Sequence, residues 1–130
     1  MNYNQIQEEV IKKYRIDLCD GTRCKDGDWG RTHAHPKQRR VCKWKQANSI
    51  QATFTLLHEI GHIVANASWM RRAEEEYYAT MWAIEECGKY GIEIPQKTID
   101  LYQEYIDMTA DRGVRRGGKN YGKLQLKGGE

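Results

Sequence analysis

Apolar residues at Tyr3, Ile6, Val10, Ile11 and Tyr14 recur at intervals of three and four, which predicts an amphipathic helix over residues 3–14 packed on the core. A short segment around Ile16–Leu18 follows. The stretch DGTRCKDGDWG, residues 20–30, is dense in Gly and Asp and reads as turns joining short strands. RRVCKWK, residues 39–45, alternates: Arg40, Cys42 and Trp44 fall on one face, Val41, Lys43 and Lys45 on the other, which predicts a strand. Its polarity assigns it to a sheet edge.

The period then changes. Asn48-Ser49 offers an N-cap, and Ile50, Phe54, Leu57, Gly61, Val64 and Ala65 form one face of a helix over 49–66. Asn66 to Ser68 break it. A second helix covers about 71–88, with Gly88 and Gly91 as its end, and Pro95 opens a last one over 96–111 with Gly113 as a stop. The pattern predicts an α+β domain over residues 1–113, a short antiparallel sheet packed on about four helices. The Gly/Lys-rich residues 114–130 read as a basic, flexible tail.

A chain of 130 residues can bury one core and not two. The N-terminus has no apolar signal region and no stretch is apolar for the length of a bilayer, so the expected compartment is the cytoplasm, with no membrane contact. Four cysteines, Cys19, Cys24, Cys42 and Cys87, are few for a disulfide scaffold and are expected as reduced thiols. The net charge of +3 is mild, but Lys37, Arg39, Arg40, Lys43 and Lys45 cluster, and the tail is basic. Such patches suit acidic partners or nucleic acid.

The chemistry centres on His58-Glu59-Ile60-Gly61-His62. Four residues is just over one helical turn, so both imidazoles leave one face and can share an ion. Catalytic Zn²⁺ takes three protein ligands and keeps a fourth position for water. Glu59, next to the first ligand, is placed as general base for that water. A chance H-E-x-x-H in a chain of this composition has a probability of about one in a hundred, so accident is a poor explanation. Gly61 costs the helix about 1 kcal/mol against alanine, which is easier to understand if another backbone approaches there.

The third ligand is expected from the next helix, where Glu74, Glu75 and Glu76 occupy three faces. Glu76 shares its face with the small residues Ala79, Thr80, Ala83 and Cys87, which would let that helix lie close to His58 and His62; Glu75 is the alternative. Cys19 and Cys24 followed by His33-Ala-His35 offer a second, looser metal pattern, and His33, His35 or Tyr78 could serve as an oxyanion donor. Ile99, Tyr102, Tyr105 and Ile106 at helical spacing are read as core packing.

HEIGH, reached from a short polar strand and followed by the Glu-rich EEEYYATMWAI, resembles the ImmA/IrrE family of bacterial and phage metallopeptidases over roughly residues 39–90. The resemblance implies a minimal zincin-like fold binding one Zn²⁺, with RRVCKWK as the edge strand that aligns substrate. It implies His58 and His62 as zinc ligands, Glu59 as catalytic glutamate and a glutamate of the next helix as third ligand. The substrate it implies is a protein, such as a helix-turn-helix repressor encoded by a mobile element or phage. The competing reading is a nonenzymatic regulatory or nucleic-acid-binding module with a structural or vestigial metal site.

Overall fold

Asn2 and Gln5 cap the first helix reciprocally: each side chain accepts from the other residue's backbone N–H at 2.8 Å, satisfying two donors that the first turn cannot. This helix, α1 (Tyr3–Lys13), turns Ile6 and Val10 into the core. The computed structural model describes residues 1–19, 32–42, 44, 46–65, 71–115 and 124–126. The turn-rich stretch 20–30, with Cys24, lies outside the described residues, as do Lys43 and Lys45.

Among the described residues three short strands follow: β1 (Asp17–Cys19), β2 (His33–His35) and β3 (Arg40–Cys42). They lie in the order β1-β3-β2, with β3 parallel to β1 and antiparallel to β2. The sheet is therefore mixed rather than antiparallel, and β3 is its centre rather than its edge. The edge assignment failed because it read Arg40 as a solvated charge. Arg40 instead lies 3.5 Å from Asp17 across the parallel pair, while Val41 and Cys42 are fully buried between both neighbours. A 3-10 turn, Pro36–Gln38, and a left-handed Arg39 (φ 50°) reverse the chain from β2 into β3. The Arg39 guanidinium donates to the Tyr14 carbonyl, so it too is engaged with the fold.

Ser49 caps α2 (Ile50–Ala65) by accepting from Ala52 N at 3.1 Å, and Asn48 Oδ1 accepts from Tyr3 N at 2.9 Å, tying the starts of two helices together. The buried amide of Gln7 donates to Ala47 O and to Thr53 Oγ1, so its donor side is satisfied where α1 meets α2. Helix α3 (Arg72–Lys89) runs through Gly88 and ends in a Schellman arrangement: Ile92 N donates to Cys87 O, Gly91 N to Gly88 O, and Gly91 takes φ 74°.

Helix α4 (Gln96–Arg115) begins after Pro95 and passes Gly113 rather than stopping there. Of the residues expected as tail, 124–126 lie against α4: Gln103 donates to Leu124 O and accepts from Leu126 N, both at 2.7 Å, and Leu126 is buried. One core joins all layers, with Val41 from the sheet, Phe54, Leu57 and Ile60 from α2, Ala83 and Cys87 from α3, and Ile99 and Ile106 from α4. Among the described residues no helix is long and apolar enough to cross a membrane.

Candidate metal centre

The approach of α2 to α3 sets the site. A Cβ built on Gly61 would stand 2.6 Å from the Ala79 carbonyl oxygen, closer than any side chain tolerates. Glycine at 61 with Ala79, Thr80 and Ala83 opposite, all fully buried, lets the helices lie almost backbone to backbone. That distance brings a side chain of α3 within reach of both histidines of α2.

The side chain is Glu76. His58 Nε2 and Glu76 Oε2 are 3.0 Å apart, His62 Nε2 and His58 Nε2 are 3.2 Å apart, and His62 Nε2 and Glu76 Oε2 are 3.4 Å apart. Two ligands 2.0–2.1 Å from a tetrahedral centre stand about 3.4 Å from each other, so the three donors already have the spacing of a coordination triangle. All three residues are buried, and as a group they can hold a metal ion. Glu74 is not one of the donors.

The surroundings orient each donor. The Thr80 hydroxyl donates its one proton to the Glu76 carbonyl at 2.7 Å, so toward His58 Nδ1, 3.1 Å away, it acts as acceptor. With a metal bound, His58 would carry its proton on Nδ1 and turn the lone pair of Nε2, the atom that faces the other two donors, toward the ion. Glu75, the alternative ligand expected from the sequence, supports His62 from behind instead. Its Oε1 lies 3.3 Å from His62 Nδ1, within ion-pair reach though poorly aligned for a hydrogen bond. Arg72 Nη2 holds Glu76 Oε1 at 3.2 Å, leaving Oε2 for the histidines.

The electrostatics are those of a cation site. Burial works against charge on His62, yet the Glu75 and Glu76 carboxylates beside it push its pKa up to about 10. Burial likewise favours a neutral Glu76, but the two imidazoles hold its carboxyl well below the usual range. In both cases the attraction between imidazole and carboxylate outweighs desolvation.

Glu59 is half-buried on α2, and its charge acts on both His62 and Tyr102. Tyr102 of α4 is the residue that sequence reasoning missed. Its ring packs on His58 at 5.0 Å between centroids and edge-on to Phe54 at 5.1 Å, walling the site. Burial first, and then the Glu59 charge, push its hydroxyl up to about 12, so it stays protonated. Its helical spacing is that of any core residue, and nothing local distinguishes it. Thr80, four residues after Glu76 on the same face, did carry a signal, because that spacing aims it at whatever Glu76 faces.

The other candidates are not members of the donor triangle. Tyr78 is exposed and packs on Tyr77. His33 and His35 project from β2, where their rings meet edge to face at 5.1 Å. Comparison with protein-family models finds no match to this chain, and comparisons with curated proteins and with solved structures find none either.

Proposed function

We propose that the protein is a zinc-dependent endopeptidase with a minimal zincin-like site, in which His58, His62 and Glu76 hold one Zn²⁺ and Glu59 is the general base. The observation that carries this reading is the donor triangle beside an intact Glu59. A purely structural zinc site closes with four ligands, whereas among the described residues the buried group has three, the pattern that leaves a position open to water.

A zinc ion in the triangle supplies Lewis acidity, acidifying water and polarising a carbonyl oxygen. The chain's own residues do the rest. Thr80 and Glu75 hold the imidazoles with Nε2 inward, Arg72 keeps one Glu76 oxygen aside, and Tyr102 covers one side of His58. Glu59 takes the proton of the attacking water and returns it to the leaving amine. Substrate is a protein, in keeping with the resemblance to repressor-cleaving peptidases. Because β3 is central, an extended substrate would have to pair with an edge strand, and among the described strands β2 is the edge that packs beside α2.

The nucleic-acid reading finds less support, since two residues of the basic cluster are engaged within the fold: Arg40 with Asp17 and Arg39 with the Tyr14 carbonyl.

The test is cleavage of a degenerate peptide library by the zinc-loaded protein, with new termini read by mass spectrometry. Wild type is expected to generate termini, and Glu59→Gln to generate none while retaining one zinc. A zinc-loaded wild type that cuts nothing, or a Glu59→Gln variant that cuts equally well, overturns the reading.

A further inference from the structure

A second group of donors lies on the sheet. His33 and Cys42 are directly opposed across the β2–β3 pair, and His35 follows two residues after His33, so alternation puts all three side chains on one face. The other face carries Ala34 and Val41 into the main core; Cys42 is just as buried as Val41 yet does not belong to that core cluster. One nitrogen of each histidine and the Cys42 sulfur all lie within 4.8 Å of one another. Among the described residues, the buried His35 Nε2 meets no hydrogen-bond partner, an expense a fold does not ordinarily leave standing.

Cys42 is disulfide-bonded, contrary to the expectation of reduced thiols, whereas Cys19 and Cys87 are not. A disulfide sulfur is not a ligand of the thiolate type, so in this form the donor set is incomplete. Reduction changes that. Two thiols of a reductant such as glutathione become its disulfide, and each sulfur of the Cys42 bond gains an electron and a proton. Cys42 then loses its proton to solvent on ligating a metal.

We propose that His33, His35 and Cys42 form a second metal site, specific for Zn²⁺-like cations, that is open to metal only when the Cys42 disulfide is reduced. Two imidazoles and a thiolate are a donor set that zinc accepts at about 2.0–2.1 Å and 2.3 Å, with a fourth position for water. The distances on the sheet need a modest closing of the side chains and no change in strand register. The site shares no residue with the His58/His62/Glu76 triangle, so it stands or falls independently of the peptidase reading.

Cobalt(II) distinguishes the two sites, because only the sheet site contains sulfur. The full chain, reduced with a phosphine that leaves as its oxide and titrated anaerobically with Co²⁺, is expected to show thiolate-to-cobalt charge-transfer absorption. His62→Ala keeps that absorption, Cys42→Ser abolishes it, and His35→Ala weakens cobalt affinity read from it by about tenfold or more. The unreduced wild type shows none, a comparison that requires no variant to fold. Absence of the absorption in reduced wild type, its presence before reduction, or its survival in Cys42→Ser overturns the proposal.

Discussion

His58 Nδ1 lies 3.1 Å from the Thr80 hydroxyl, and because that hydroxyl spends its proton on the Glu76 carbonyl, one helix turn of α3 both supplies a donor and sets the tautomer of another. Removing the hydroxyl while keeping the shape separates the two roles. Thr80→Val should leave the fold intact and weaken zinc binding by about 10–100-fold, the usual cost of losing a partner behind a ligating histidine. Thr80→Ser should restore it. Competition against a chromogenic chelator gives the affinities; equal affinity in wild type and Thr80→Val would mean the hydroxyl does not orient His58.

Gly61→Ala tests the helix contact. On propensity alone the change favours the helix by about 1 kcal/mol. The added Cβ, however, meets a backbone oxygen at 2.6 Å, which cannot rotate away, so α2 and α3 must part. Net destabilisation of about 1–3 kcal/mol is expected, together with reduced zinc occupancy as Glu76 withdraws from His58 and His62. Urea unfolding and metal analysis of the same sample read both. A variant more stable than wild type would show that the close approach is not required.

How much of this was readable from residues alone depends on range. The His58/His62 pair and the face shared by Glu76, Ala79, Thr80 and Ala83 are set by a helical period of a few residues, and Gly61 announced the close approach from the opposite helix. The sheet was less legible. β2 is three residues long, too short for alternation to register, and the place of β3 turned on Asp17, more than twenty positions earlier, neutralising Arg40. Glu86 shows the same effect: nothing in its own helix marks it for burial, but Lys13 and Tyr14, at the end of α1 and just past it, meet its carboxylate.

That burial has a pH consequence. Glu86 is 1% exposed and accepts from Tyr14 Oη at 2.8 Å, Lys13 Nζ at 3.1 Å and Lys89 Nζ at 3.2 Å. Burial by itself would raise its pKa, but these donors carry it below the ordinary 4.5. A carboxyl lowered in the folded state stabilises the fold above the unfolded pKa and loses that contribution as pH falls through the folded value. Glu86→Gln, which keeps an acceptor for Tyr14, should cost about 1–3 kcal/mol at neutral pH. The gap from wild type should then shrink as pH falls below about 4.5. Urea midpoints measured from pH 7 to 3 give the difference curve; a gap independent of pH would remove the ionised carboxylate as the cause.

Metal should also appear in the stability of the whole domain. The triangle joins α2 to α3 through side chains that are buried and, without a cation, rely on a proton on His62 to offset Glu75 and Glu76. An ion that binds the folded chain and not the unfolded one stabilises it by RT ln(1 + [L]/Kd), about 2.7 kcal/mol at a hundredfold excess over Kd. For a domain of this length that corresponds to a rise in Tm of about 10 °C. Excess zinc is expected to produce that rise in wild type, excess chelator to reverse it, and His62→Ala to show no response at the same zinc concentration. The measurement is best made on unreduced protein, where the sheet site is closed by the Cys42 disulfide and the response belongs to the triangle alone. A zinc-dependent rise that survives in His62→Ala would place the stabilising ion somewhere other than between these helices.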